Sequence, residues 1–255
     1  MRHFIGVRWA LILAAPWLCL NPAIASATQA EAPILVHAEV ALDVDPEGRV
    51  AAVEISGGKV PAALIDRVDA AARQWRFQPL MRDGKAVHGR TYAQMQICLV
   101  PNEDEYQVAI DYRGNGPGFI PARNPKSIIL PVHELARHGI RLEGKIRYRV
   151  GVDGRAVIEN AELSDPELQK KYGDIWRRQR SLWMAEDRYR PEQINGVPVA
   201  TLLEVATSEE WAPSDARKRR RAEYAMGTEA CRVAAGSARS EPTAVDSPFR
   251  RLPES

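Results

Sequence analysis

The sequence contains one pattern twice, and this repeat limits the possible fold more than any other feature of the chain. The segment WRFQPLMRDGKAV (residues 75–87) aligns without gaps on DRYRPEQINGVPV (residues 187–199). Upstream, EVALDVDPEGRVAAVEI aligns on KIRYRVGVDGRAVIENAEL, so that Gly48 corresponds to Gly154. A pattern that occurs twice predicts a small structural unit that the chain builds twice.

Both copies show the same succession of local patterns. Apolar residues at alternate positions before the turn indicate a half-buried strand, as at Val40, Leu42 and Val44. Steps of three and four residues between apolar positions then indicate a helix, as from Leu64 to Val68. The order is strand, turn, strand, helix, turn, strand. This predicts an α+β fold of two tandem units, each a three-stranded antiparallel sheet with one packed helix.

The first turn also resembles a calcium-binding loop. Carboxylates stand at alternate positions from Asp43, and Glu54 is the twelfth residue of the segment. The second copy has Arg149 in place of Asp43, a change that a turn tolerates and a cage of oxygen ligands does not. We therefore expect a β-hairpin with Pro46 and Gly48 in its turn. No metal ligand, cofactor-binding residue or catalytic residue is predicted.

The N-terminus has the pattern of a secretory signal peptide. Basic residues precede an apolar stretch that Pro16 interrupts, and small residues around Ala25 offer a cleavage site. The expected organisation is a signal peptide at 1–27, a first unit at 33–101, a linker at 102–126, a second unit at 127–211 and a charged, disordered tail at 212–255. Export would place the protein in the periplasm. An uncleaved signal, which would anchor the chain in the inner membrane, is the alternative.

Two cysteines, Cys98 and Cys231, would remain after cleavage. In an oxidising compartment they can form a disulfide. The alternative is that Cys98 is a small buried residue of a strand and that Cys231 lies in the tail.

The charge of the chain limits its partners. A formal net charge of +2 argues against a dedicated nucleic-acid binder. One basic run near the C-terminus is best explained as a charged, solvated helix face that runs into disorder, and weak contact with anionic lipid head groups is the alternative. This run consists of Arg217, Lys218, Arg219, Arg220 and Arg221.

Taken in order, VDxxGRV, a helix, W-R-F-x-P, D-G-K and a final strand resemble the C-terminal domain of the TonB energy transducers. The resemblance covers residues 39–100 and 129–206. It implies a non-enzymatic module that binds the N-terminal segment of an outer-membrane receptor by adding a strand to a sheet edge. The implied edges are residues 89–99 and 199–206. The residues implied in partner binding are Thr201, Leu202, Leu203, Glu204 and Val205.

The expected function is that of a periplasmic binding module that recognises an envelope protein by strand addition, with a link to outer-membrane transport. A shortened energy transducer anchored in the inner membrane is one alternative. A metal-dependent or catalytic envelope protein is another.

Overall fold

The computed structural model describes residues 33–58, 60–102, 105–121, 127–210, 231 and 243–253. Over these residues the fold is mixed α+β, with mostly antiparallel strands and few helices. Its first half contains β1 (Ile34–Val44), β2 (Val50–Gly58), a 3-10 turn (Ala62–Leu64), α1 (Ile65–Gln74), β3 (Leu80–Arg82), β4 (Lys85–Val87), β5 (Gly89–Asn102), β6 (Glu105–Gly116) and β7 (Gly118–Ile120). Its second half contains α2 (Val132–Arg137), β8 (Arg141–Val150), β9 (Ala156–Leu163), α3 (Pro166–Glu186), β10 (Arg188–Arg190), β11 (Gln193–Ile194), β12 (Val197–Pro198), β13 (Thr201–Glu210) and β14 (Thr243–Ala244).

The first sheet is built around β5. Its strand order is β12-β11-β5-β1-β2, and β6 also pairs with β5. Alternate residues of β1 face this core, as the sequence pattern predicts, and alternate residues of β5 join them against Val68 and Ala72 of α1. The buried residues of this core include Val40, Leu42, Val68, Trp75, Phe77, Ala93, Met95 and Ile97.

The second sheet has the order β14-β13-β8-β9 and packs against α3. The side chain of Asp165 begins α3 by accepting hydrogen bonds from the N–H groups of Glu167 and Leu168, and Pro166 follows it in the first turn. The indole of Trp176 is fully buried against the sheet. The buried residues of this core include Leu135, Leu142, Ile146, Tyr148, Val150, Tyr172, Trp176 and Leu203.

The two hairpin turns have the same geometry. Gly48 has φ +80°, and its carbonyl accepts the N–H of Phe77 at 2.8 Å. Gly154 has φ +75°, and its carbonyl accepts the N–H of Tyr189 at 2.9 Å. The hairpin prediction at residues 43–54 is confirmed by the pairing of β1 with β2. Over the described part of the chain, no group of His, Cys, Asp and Glu side chains could hold a metal ion.

The sheets contain more strands than the three expected in each unit. The first has six strands and the second has four. One reason is that the segment expected to be a linker, 102–126, contains β6 and β7. Val108, Ile110 and Tyr112 of β6 pack against the first core, so this segment contributes to the sheet instead of only joining two domains.

The two halves also exchange strands. The β11–β12 hairpin of the second half pairs with β5 through Gln193 and Arg90, and β7 of the first half pairs with β10. Residues 33–253 therefore belong to one compact unit where they are described. Each half keeps its own set of buried residues, and strands of each half also pair with strands of the other.

Part of the expected disordered tail is ordered structure. Residues 243–253 form β14 and an extended segment, and the phenyl ring of Phe249 is 3% exposed. An aromatic ring in the first core explains why this segment is ordered, since burying it removes a large apolar surface from water. The basic run 217–221 and the signal segment 1–27 lie outside the described residues. Of the helices that the structure does describe, none is long and apolar enough to cross a membrane.

Candidate functional site

The residues predicted to bind a partner lie on β13, next to β8. Register pairs run from Thr201 with Val150 to Glu210 with Arg141, so one side of β13 is fully paired. The side chains of Thr201 and Leu203 are buried under the sheet. A partner could therefore pair with these five residues only through the main-chain groups on the side of β13 that faces away from β8.

The main-chain groups on the outer side of β13 can be assigned from Leu202. Its N–H donates to Asp246 Oδ1, and its carbonyl accepts the N–H of Val245 at 2.9 Å. Main-chain groups of an antiparallel strand point to alternate sides, so every second residue from Leu202 faces away from β8. These residues are Leu202, Glu204, Ala206, Ser208 and Glu210.

The outer side of β13 is half occupied. Leu203 pairs with Ala244, and Glu204 pairs with Thr243 of β14. Within the described ranges, residues 205–210 have no strand on that side. Among the described residues, none pairs with the outward N–H and C=O groups of Ala206 and Ser208, and such a stretch of sheet edge is a template for pairing with another chain.

The other expected edge, residues 89–99, is closed on both sides. β5 pairs with β1 along one side, and its other side pairs with β11 at Gly89 and Arg90 and with β6 from Tyr92 onward. No outward main-chain group of this stretch is available for an added strand. The segment that follows the first D-G-K motif is an inner strand because β6 folds back onto it.

The segment 243–253, here called the C-terminal strap, connects the β13 edge with the first core. Asp246 accepts from Leu202 and also from an Nη of Arg149 at 3.2 Å. The Ser247 hydroxyl donates to Glu192 at 2.8 Å. The strap therefore holds β13 through its main chain and its polar side chains together.

The end of the strap lies against the first core. The ring of Phe249 meets the ring of Phe77 edge to face, with centroids 6.4 Å apart. The guanidinium of Arg251 lies 4.6 Å from the ring centroid of Tyr112 and 5.5 Å from that of Trp75, which is cation–π geometry. Aromatic packing and cation–π contacts thus fix this end of the strap.

A buried carboxylate lies where the strap, β13 and the first sheet meet. Glu192 is fully buried and accepts hydrogen bonds from hydroxyl and amide donors of four segments. These donors are Thr91, Thr201, Ser247 and Asn115. Burial raises the pKa of Glu192, and the four donors act in the opposite direction.

We expect the Glu192→Gln variant to gain stability relative to the wild type as the pH rises. A carboxyl group with a raised pKa in the folded state stabilises the fold below its ordinary pKa of about 4.5, and this contribution is lost as pH rises through the folded pKa. Glutamine keeps an oxygen acceptor and does not ionise. Urea unfolding of both proteins from pH 3 to pH 7 measures the difference in the free energy of unfolding, which changes by at most about 1.4 kcal/mol per pH unit.

Glu134→Gln provides a control of opposite sign. Hydrogen bonds from Lys171 and Tyr172 lower the pKa of Glu134. Its contribution to stability is therefore present above the ordinary pKa and is lost as pH falls. If both variants followed the same trend with pH, the assignment of the raised pKa to Glu192 would be wrong.

The structure joins Cys98 and Cys231 in a disulfide, with their Cα atoms 6.1 Å apart. Cys98 lies on the face of β5 opposite the α1 core, and both cysteines are buried. This bond ties the chain ahead of the strap to the first sheet.

Sequence reasoning missed the polar and aromatic residues of the strap. Asp246, Ser247 and Phe249 stand in DSPF, within a segment that is rich in charged and small residues. The one signal in the sequence was Phe249, because a lone aromatic residue in such a segment suggests that the segment packs against a core. Glu192 gave no signal, because it stands beside the turn residues of the second copy and its burial depends on strands from both halves.

The comparisons with known proteins agree with part of the resemblance. The family model of the Gram-negative bacterial TonB protein C-terminal matches residues 31–96. No curated protein and no solved structure matches the chain. The match covers β1, β2, α1 and most of β5, and it does not extend to the second half. Over residues 31–96 the chain is similar to a TonB C-terminal domain, which suggests an envelope protein-interaction module of the TonB type.

Proposed function

We propose that the protein is an exported, periplasmic binding module that recognises an envelope protein by strand addition to β13. The observation that carries the proposal is the open outer side of residues 205–210, where β14 no longer covers the edge in the described chain. An extended peptide that pairs there gains main-chain hydrogen bonds without any change in the sheet. The family match at residues 31–96 supports an envelope partner, for which the N-terminal segment of an outer-membrane receptor is the proposed example.

We further infer that the two halves are divergent copies of one unit. The support is geometric. A Cβ atom at Gly48 would lie 2.0 Å from the Phe77 carbonyl oxygen, and one at Gly154 would lie 2.2 Å from that of Tyr189. The two-residue turns also match, since Asp83 and Gly84 have φ of 52° and 73° and Asn195 and Gly196 have 53° and 76°. If the two halves are copies of one unit, β13 corresponds to β5. The outer side of β13 then corresponds to the side of β5 that pairs with β6.

The proposal includes no catalytic or metal-dependent activity. It also differs from an anchored energy transducer in one measurable way, because removal of residues 1–27 would release the chain into the periplasm. N-terminal sequencing of the protein from fractionated cells distinguishes the two. A start between Ser26 and Thr28 supports the exported module, and an intact N-terminus in the membrane fraction supports the anchored form.

The partner itself is sought by capture from envelope extract on the immobilised full chain. We expect the Ala206→Pro variant to bind the captured partner about tenfold more weakly than the wild type. Proline deletes the outward N–H of Ala206, and a lost hydrogen bond that leaves its acceptor unmatched costs about 1–3 kcal/mol. Ala206 is exposed and its N–H faces away from β8, so the fold of the sheet does not depend on it.

Ala206→Thr is the matched control, because it changes the side chain and keeps the N–H. It should bind within about twofold of the wild type. Circular dichroism establishes first that both variants are folded. If proline and threonine at this position weaken binding equally, side-chain contacts dominate and strand addition at β13 is not the mode of recognition.

A further inference from the structure

The C-terminal strap lies in a site that both halves of the chain form. At one end Val245 and Asp246 contact Leu202 on the β13 edge. At the other end the Phe249 ring enters the first core above Gly89, where a Cβ atom would lie 2.6 Å from the ring. The absence of a side chain at Gly89 therefore makes room for an aromatic residue of the strap.

The strap makes main-chain hydrogen bonds at both ends, as an added strand does. The N–H of Gln78 donates to the carbonyl of Arg250 at 2.8 Å, and the N–H of Leu252 donates to the carbonyl of Arg76 at 2.7 Å. Together with the bonds at Leu202, these contacts require an extended backbone and no particular sequence. Any extended peptide of sufficient length could make them.

Three side chains of the strap give the site its chemical selectivity. The Asp246 carboxylate bridges the Leu202 N–H and Arg149. Three residues later the Phe249 ring is buried, and two residues after that Arg251 lies over the rings of Tyr112 and Trp75. The site therefore contacts an acidic, an aromatic and a basic side chain at fixed spacing along one extended segment.

We propose that this site is a peptide-binding site which the chain fills with its own strap, and that its ligand in trans is an extended segment of an envelope protein. The ligand carries a carboxylate three residues before an aromatic residue, and an arginine two residues after the aromatic. This inference rests on the proposed strand addition, because strap and ligand compete for the outward groups of Leu202 and Glu204. The strap covers the first part of the β13 edge, and no described strand covers residues 205–210.

The connection of the strap to the body makes this competition reversible. The disulfide holds Cys231 at the first sheet, and the strap begins soon after it in the sequence. A released strap stays near its site at an effective concentration of about millimolar, so it returns when no ligand is present. A ligand from another molecule must therefore bind the strap-free site tightly, or it must bind a chain in which the contacts of the strap are already weakened.

The test uses the full chain and a fluorescent peptide of residues 241–255, EPTAVDSPFRRLPES, with binding followed by fluorescence anisotropy. In the chain, Asp246→Ala removes the carboxylate that joins the strap to Leu202 and Arg149. We expect the peptide to bind this variant at least tenfold more tightly than the wild-type chain. Val245→Ala in the chain is the control, because it keeps the main-chain N–H that donates to Leu202 and because Val245 is 49% exposed; the affinity of the peptide for it should lie within about twofold of the wild type.

A second arm changes the peptide and leaves the chain folded. With the Asp246→Ala chain, a peptide carrying Phe249→Ala should bind at least 100-fold more weakly than the parent peptide, and one carrying Val245→Ala should bind nearly as well. Equal binding of the parent and Phe249→Ala peptides would overturn the inference. Equal binding of the peptide to the wild-type and Asp246→Ala chains would overturn it as well.

Neither of these two peptide-binding experiments involves an envelope partner. The proposed function and the proposed strap site can therefore be contradicted independently of each other. Peptide exchange without any captured envelope protein would contradict the proposed function and leave the strap site in place. A captured partner that binds the wild-type and Asp246→Ala chains with equal affinity would contradict the inference and leave strand addition at the open edge in place.

Discussion

Replacing Gly48 with alanine is expected to lower the free energy of unfolding by about 3 kcal/mol or more. A Cβ atom there would lie 2.0 Å from the carbonyl oxygen of Phe77, and φ is +80°, which L-residues with a side chain rarely adopt. The positive φ costs about 1–2 kcal/mol, and forced overpacking adds about 1–3 kcal/mol. The same loss is expected for Gly154→Ala, whose Cβ would lie 2.2 Å from the carbonyl oxygen of Tyr189. Thermal unfolding of each variant measures the effect.

Gly84→Ala separates the two causes. Gly84 has φ +73°, and nothing lies within 4 Å of the position of its Cβ atom. Its free energy of unfolding should therefore fall by only about 1–2 kcal/mol, which is the cost of the positive φ. If Gly48→Ala and Gly84→Ala unfold at the same temperature, the close contact with the W-R-F segment is not a source of stability.

Removal of the disulfide is expected to have the second large effect. Cys98 and Cys231 are 133 residues apart in sequence, so their bond closes a long loop. A cross-link of this kind stabilises the fold mainly by limiting the unfolded chain, typically by about 2–4 kcal/mol. The double variant Cys98→Ser, Cys231→Ser should unfold at a correspondingly lower urea concentration than the oxidised wild type.

A reductant serves as the control for this variant. Both proteins carry Cys19→Ser so that no third thiol takes part. Dithiothreitol should lower the stability of the parent to that of the double variant and should leave the double variant unchanged. A parent whose unfolding midpoint does not respond to dithiothreitol would show that the two cysteines are not joined in solution.

Local sequence signals predicted the turns and the buried faces of this fold well. Pro46 and Gly48 marked the first hairpin, and the alternation of Val40, Leu42 and Val44 marked the buried side of β1. These features depend on backbone preferences and on a period of two residues, both of which are visible within a short stretch of chain.

Pairing between distant strands was not visible in the same way. Tyr106, Val108, Ile110 and Tyr112 alternate as a strand should, but the Gly and Pro residues at 114–118 favoured a linker over the whole segment. The pairing of β11 with β5 depends on where two halves of the chain meet. The periodicity of apolar residues within a short stretch does not predict this pairing, because the pairing depends on how one half of the chain packs on the other.

The candidate site was predicted in part for the same reason. The β13 strand followed from its position after Asn195 and Gly196, and its family resemblance suggested an edge. The strap that covers Leu203 and Glu204 comes from residues 243–253, in which Phe249 is the one aromatic residue. Phe249 is the one residue of this segment that is buried, and its neighbours in the sequence gave little sign that the segment is ordered.

Hydrogen exchange at β13 is the most direct test of strand addition. The amide protons of Ala206 and Ser208 face away from β8, whereas those of Val205 and Thr207 face it. In the free protein we therefore expect fast exchange at the first pair and slow exchange at the second. Addition of the captured envelope partner should slow exchange at Ala206 and Ser208 by at least tenfold, as measured by NMR, with little change at Val205 and Thr207. Unchanged exchange at Ala206 and Ser208 in the saturated complex would contradict strand addition to β13.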